Sequence, residues 1–178
     1  VATAAYYGVG FNYAISTGNE ADVSMLDLAE FFVELSEVES VVMFMEGITD
    51  GRRLIAIGER ALELGKPILA WKVGNSDVGR QAAASHTARM TASYELYQAA
   101  FRRGGFIEVR DMDDLIDAMK VVRARRLPRG NRVGGITLSG GAGVLLADRC
   151  VEHGLTLPKL TDATTSELRE LVVSYASV

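Results

Sequence analysis

The sequence predicts an α/β protein: a parallel sheet with helices on both faces, followed by part of a second, similar α/β domain. Three observations lead there. Short continuous apolar runs such as Val41-Val42-Met43-Phe44-Met45 suit strands covered on both faces, because a half-exposed strand would alternate. These runs alternate with segments whose apolar residues recur at helical spacing, the pattern of βαβ units. An arginine-rich break, RARRLPRGNR at 123–132, interrupts the pattern before it restarts. The predicted organisation is a first domain over 1–124, a linker over 125–132 and a partial second domain over 133–178.

The elements follow in order. Residues 8–17 (GVGFNYAIST) are apolar, aromatic and β-branched and read as a buried strand. Ser24 is a candidate N-cap, with Asp27 completing a partial capping box, for a helix over 25–36. The 41–45 strand ends at Glu46-Gly47, and Asp50 starts a helix that Gly65 closes. Pro67-Ile68-Leu69-Ala70-Trp71 is the next strand. A polar loop carries Ser85-His86-Thr87 to a helix over 88–103, followed by a strand over 106–109 and a helix over 113–123. Beyond the break, 133–138 reads as a strand, Ser139-Gly140-Gly141-Ala142-Gly143 as a Gly-rich loop, and 144–153 and 164–175 as helices. The arginine-rich break itself is most simply a solvated linker, with a phosphate-binding patch as the alternative.

Bulk properties narrow the function classes. With 48% hydrophobic and 24% charged residues, the 178-residue chain has the composition of an ordinary globular protein. It has no long uncharged apolar span and no basic leader, so neither a membrane helix nor a signal peptide is expected. A single cysteine, Cys150, excludes an intrachain disulfide framework and fits a reducing, cytoplasmic setting. The net charge of -4 argues against nucleic acid as the main partner. The chain begins at Val1 and stops at Val178 without a closing element, and is expected to be an internal piece of a longer polypeptide.

Right-handed crossovers place every loop that follows a parallel strand along one edge of the sheet. Glu46, Lys72 and His86 all lie at or after strand ends and so share that edge, where open α/β sheets keep their chemistry. His86 is the candidate nucleophile. A lone histidine is more often structural, but this one has a hydroxyl on each side and a helix after it. Neutral imidazole is nucleophilic near neutral pH, and a helix N-terminus stabilises a phosphoryl group attached to it. Ser85 and Thr87 can donate to phosphate oxygens. Glu46 could accept the other ring N–H and fix the tautomer; a solvated acid near a helix start accounts for it equally well. Lys72 could bind phosphate, although a surface lysine is the simpler reading. Ser139, Gly140 and Gly141 form an anion-site candidate, a weak motif alone because Gly-rich loops also make plain turns. His153 reads as a helix-capping base. No Cys/His cluster has metal-ligand spacing, so no protein-built metal site is expected.

Taken together, several motifs resemble the NDP-forming acyl-CoA synthetases of the succinyl-CoA synthetase superfamily. They are Gly8-Val9-Gly10-Phe11-Asn12-Tyr13, Ser16-Thr17-Gly18-Asn19-Glu20-Ala21-Asp22, Glu46-Gly47-Ile48-Thr49-Asp50-Gly51-Arg52, Lys66-Pro67, Lys72-Val73-Gly74, Ala82-Ala83-Ala84-Ser85-His86-Thr87 and Ser139-Gly140-Gly141. The resemblance runs in order along nearly the whole chain. It implies flavodoxin-like ligase domains in an enzyme that converts acid, CoA and ATP to acyl-CoA, ADP and phosphate, reversibly, through an acyl phosphate and a phosphohistidine. His86 matches the phosphorylated histidine and Glu46 the acid that holds it. CoA, ATP or ADP and Mg²⁺ would bind mainly on domains outside this chain, a CoA-binding Rossmann domain and an ATP-grasp domain or subunit, within an oligomer. Ala88 departs from the glycine the family carries after Ser-His-Thr. The competing readings are an acyl-CoA-sensing regulatory domain of an acetyltransferase-like fusion and a flavodoxin-like flavin or phosphoacceptor domain. Keeping His86 together with Glu46 favours the enzyme. No aromatic-flanked phosphate loop and no aspartate-acceptor pocket favours the third.

Overall fold

Apolar strands at 41–45 and 68–72 carry no polar side chain until Lys72, and the chain covers both faces of the second and one face of the first, where Phe44 stays exposed. The computed structural model describes residues 2–79, 81–82, 92–124 and 128–172. It divides into two units, Val1–Arg126 and Leu127–Val178, each described by itself. The first contains α1 (Ala2–Tyr6), α2 (Met25–Glu34), β1 (Val41–Met45), α3 (Gly51–Glu63), β2 (Ile68–Lys72), α4 (Tyr94–Gly104), β3 (Ile107–Glu108) and α5 (Met112–Ala124). The strands form one parallel sheet in the order β1-β2-β3. The β1–β2 register runs from Val41 opposite Ile68 to Met45 opposite Lys72, and Leu69 and Ala70 pair with Ile107 and Glu108.

Successive strand residues feed two separate cores, as a period of two requires. Met43, Met45, Ile68 and Ala70 pack with Leu26 and Val33 of α2, Leu54 and Ile57 of α3, and Tyr97 and Phe101 of α4. Leu69 packs on the other side with Ala4 of α1, Val9, and Leu115 and Met119 of α5, joined by Val42 and Trp71. Leu69 and Ala70 point to opposite faces and both are 0% exposed, so β2 is covered on both sides.

Local chemistry sets the helix ends. The Ser24 hydroxyl accepts the Asp27 N–H at 3.2 Å while the Asp27 carboxylate accepts the Ser24 N–H at 2.7 Å, a complete capping box at α2. Asp50 caps α3 by accepting the Arg52 and Arg53 N–H groups, both at 3.0 Å. Lys66 closes α2 from a distance, its ammonium donating to the carbonyls of Val33 at 2.8 Å and Leu35 at 2.5 Å. Gly105 ends α4 at φ +69°, a conformation that disfavours any side chain.

Two expected strands do not form. Residues 8–17 are irregular. A groove of about 810 Å³ separates this segment from β1, lined on one side by Val9, Phe11 and Tyr13 and on the other by Val42 and Phe44. An extended segment becomes a strand only when a neighbour takes its backbone hydrogen bonds, and here Val9 is buried while Tyr13 and Ile15 stay exposed. The first sheet therefore has three strands among the described residues, with β1 at its edge. The expected 106–109 strand shortens to two residues, because the Phe106 N–H is used on the Phe101 carbonyl in closing α4, at 2.9 Å. Val109 still donates to Ala70 at 3.0 Å. The helix expected over 88–103 is α4, beginning at Tyr94 after the N-cap Ser93, and residues 88–91 lie outside the described set.

The second unit holds α6 (Gly140–Glu152) and α7 (Asp162–Leu171). The strand expected at 133–138 reduces to an isolated parallel bridge between Arg132 and Thr156, and Ile136 and Leu138 are fully exposed. Among the described residues no second strand lies beside it to extend the ladder. Helix α6 starts four residues earlier than expected, since Ser139 caps it by accepting the Ala142 N–H at 3.4 Å. Its C-cap is His153, followed by Gly154 at φ +68°. Helix α7 starts two residues earlier than expected, because Thr161 caps it by accepting the Thr164 N–H at 3.2 Å.

Candidate active-site edge

Parallel strands share one carboxyl edge, and the register fixes what meets there. Met45 pairs with Lys72, so Glu46 and Val73 leave the sheet side by side as the first residues beyond β1 and β2. Glu108 ends β3 on the same edge. Glu46 is half-buried. Lys72 is 4% exposed, which overturns its reading as a surface lysine. Its ammonium hydrogen-bonds the Val73 carbonyl and sits 4.9 Å from the centroid of the Tyr97 ring, where the negative ring face favours a cation. Asn75 donates to the Lys72 carbonyl at 2.8 Å, and Gly74 takes φ +72°, so the chain turns sharply as it leaves β2. Gly79 donates to the Ser76 hydroxyl at 3.1 Å as the loop turns helical.

Two tyrosines of α4 complete the edge. The Tyr97 hydroxyl accepts the Ile48 N–H at 3.0 Å, in the loop that begins with Glu46. The Tyr94 hydroxyl hydrogen-bonds the Glu108 carboxylate. Burial, then the Glu108 carboxylate, pushes the Tyr94 phenol up; burial pushes Tyr97 up against the opposing pull of the Ile48 N–H. Both phenols therefore stay protonated at neutral pH. Neither tyrosine is evident as a site residue in the sequence, because Tyr94, Tyr97 and Phe101 at helical spacing read as plain core. The only sequence signal was their position just after the Ser-His-Thr loop.

Of the predicted site residues, Glu46 lies on this edge. Ser85, His86 and Thr87 lie outside the described residues, on the stretch that leaves β2 at Val73 and reaches α4 at Tyr94. Ser139, Gly140 and Gly141 belong to the second unit, where all three are exposed at the head of α6 and the two glycines form its first turn. The Ser16–Asp22 motif is built around Glu20, at φ 54°, whose carboxylate accepts the Met25 N–H at 3.0 Å and the Thr17 hydroxyl at 3.2 Å.

The family model described as "Succinyl-CoA ligase like flavodoxin domain" matches residues 1–122. The chain belongs to this family. The first unit accordingly has the flavodoxin-like α/β fold of the succinyl-CoA ligase-like domains. Among relatives, the chain is 38% identical over 96% of its length to the "Acetate--CoA ligase [ADP-forming] II subunit alpha" of Pyrococcus furiosus, covering 37% of that protein. It is 33% identical over 96% of its length to the "Acetate--CoA ligase [ADP-forming]" of Methanocaldococcus jannaschii, covering 24% of it. Among solved structures, the Ca. Korarchaeum cryptofilum dinucleotide forming acetyl-coenzyme A synthetase 1 in complex with phosphate and ADP superposes with a TM-score of 0.80. That match is 33% identical and covers 92% of this chain and 35% of that one. The chain thus spans between a quarter and two fifths of the proteins it matches. Among the described residues no helix is long and apolar enough to cross a membrane.

Proposed function

We propose that this chain is the phosphohistidine-bearing part of an ADP-forming acyl-CoA synthetase. The observation that carries the reading is the register of β1 on β2: Met45 opposite Lys72 starts the Glu46 loop and the His86-bearing loop from one point on the carboxyl edge. The reaction divides into three exchanges. Phosphate displaces CoA from an acyl-CoA, giving acyl phosphate and the free thiol. An imidazole nitrogen of His86 attacks the acyl phosphate, forming an N–P bond as the carboxylate leaves. ADP then takes the phosphoryl group, giving ATP and restoring neutral His86.

Each residue's role follows from its chemistry. Glu46 accepts the N–H of His86, so the opposite nitrogen presents its lone pair and the phosphorylated ring keeps a counter-charge. Ser85 and Thr87 donate to the phosphoryl oxygens, and Ser139 with the Gly140 and Gly141 N–H groups at the head of α6 supplies a second phosphate site. Mg²⁺ and nucleotide belong to an ATP-grasp domain or subunit and CoA to a Rossmann domain, in a cytoplasmic oligomer acting on a small carboxylic acid; the partial coverage of the relatives supports the existence of further domains or subunits. The test is turnover: the full-length parent with acetate, CoA and Mg-ATP should release ADP, phosphate and acetyl-CoA together, while these 178 residues alone should not. Steady acyl-CoA formation by the isolated chain would overturn the assignment.

A further inference from the structure

A carboxylate steers an imidazole only while the loops carrying both are held at a fixed separation. One side chain touches the supports of both. Tyr97, 3% exposed, accepts the Ile48 N–H at 3.0 Å across 49 residues of sequence, two residues beyond Glu46. It sits in the first turn of α4, the helix at which the His86-bearing stretch ends. Its ring lies 4.9 Å from the ammonium of Lys72, where that stretch begins. On its inner side it packs on Phe101, ring centroids 6.2 Å apart, which anchors it in the core between the sheet and α3. The start and end of the His86 stretch and the loop of Glu46 are thus tied to one phenol.

We propose that Tyr97 is a positioning residue for phosphoryl transfer: its hydroxyl sets the Glu46 loop against the segment that carries His86. The proposal rests on the reading that Glu46 and His86 work as a pair. Tyr97 acts through the loop of Glu46, as a positioning residue and not a catalytic one. A tyrosine that merely satisfied a backbone N–H would affect stability and leave the pair uncoupled.

The experiment is a double-mutant cycle on the full-length parent, reading the single-turnover rate of His86 phosphorylation from γ-labelled Mg-ATP. Tyr97→Phe keeps the ring and removes the acceptor. It should slow phosphorylation about tenfold, as small misplacements of reacting groups do, with the half-saturating ATP concentration unchanged. In a Glu46→Gln background the same change should cost less than about twofold, since residues acting as a unit are not additive. Ile48→Pro removes the donor and leaves the tyrosine, so it should reproduce the loss, and it decides the matter if Tyr97→Phe fails to fold. A parental rate in Tyr97→Phe and Ile48→Pro, or an equal loss in both backgrounds, would overturn the positioning role. If Glu46→Gln itself phosphorylates at the parental rate, the Glu46 pairing falls and the role of Tyr97 falls with it. A slow Glu46→Gln beside a fast Tyr97→Phe removes the tyrosine alone.

Discussion

Alanine usually stabilises a helix interior relative to glycine, by about 1 kcal/mol; Gly58, inside α3, should behave in the opposite way. A Cβ built there meets the Gly104 carbonyl oxygen at 2.3 Å and the edge of the Phe106 ring at 2.4 Å. The ring can swing aside, but the carbonyl belongs to the last turn of α4. The two helices must separate by about 1 Å to bring that contact to ordinary distance. Overpacking of this kind costs about 1–3 kcal/mol, and a backbone obstacle puts Gly58→Ala toward the upper end. After the propensity gain, a net loss of about 2 kcal/mol is expected. Gly51, at the start of the same helix, has nothing within 4 Å of a built Cβ. Gly51→Ala is therefore the control, expected to be neutral or slightly stabilising. Urea unfolding of parent and variants, with equal m-values, reads the difference as a shift in midpoint. Because α4 carries Tyr94 and Tyr97, the full-length Gly58→Ala protein should also phosphorylate more slowly. Gly58→Ala matching or exceeding the stability of Gly51→Ala would refute the close-approach argument.

Other consequences are local. Lys66→Met strips the Val33 and Leu35 carbonyls of their donor and should cost about 1–2 kcal/mol in the same urea assay. The Ser24 hydroxyl, then the Ser24 N–H and Arg53, hold the Asp27 carboxyl down at about 2. A depressed carboxyl stabilises the fold above its unfolded pKa and loses that contribution as pH falls through the folded one. The capping box should thus survive at pH 4 and be half lost at about pH 2, seen as an Asp27 side-chain titration midpoint near 2 by NMR. A midpoint near 4 would mean that the box does not hold in solution.

The parts of the fold legible in the sequence are those set by nearby residues. Ser24 and Asp50 act within three residues of themselves, and β2 announces burial on both faces through an unbroken apolar run, whereas the equally apolar β1 leaves Phe44 exposed. Residues 8–17 and 133–138 have the composition of strands without forming them, because strand character there depends on a partner that sequence composition does not specify. Lys72 looked like a solvated cation, since burial of a lysine depends on Tyr97 and the Val73 carbonyl, and only the fold brings the ring to it. Tyr97 was hidden for the opposite reason: its apolar spacing is genuine, and its hydroxyl acts across 49 residues. Glu46 was placed on the carboxyl edge by topology alone, and the register adds what topology could not, that it leaves the sheet beside Val73.

The central claim concerns His86 as a phosphoryl carrier. The direct measurement is incubation of the full-length parent with γ-labelled ATP and Mg²⁺, beside His86→Ala and Glu46→Gln. The account predicts an alkali-stable, acid-labile label on the parent, none on His86→Ala, and slow labelling of Glu46→Gln. A folded parent that binds CoA yet takes up no label, or a label that persists in His86→Ala, would contradict it.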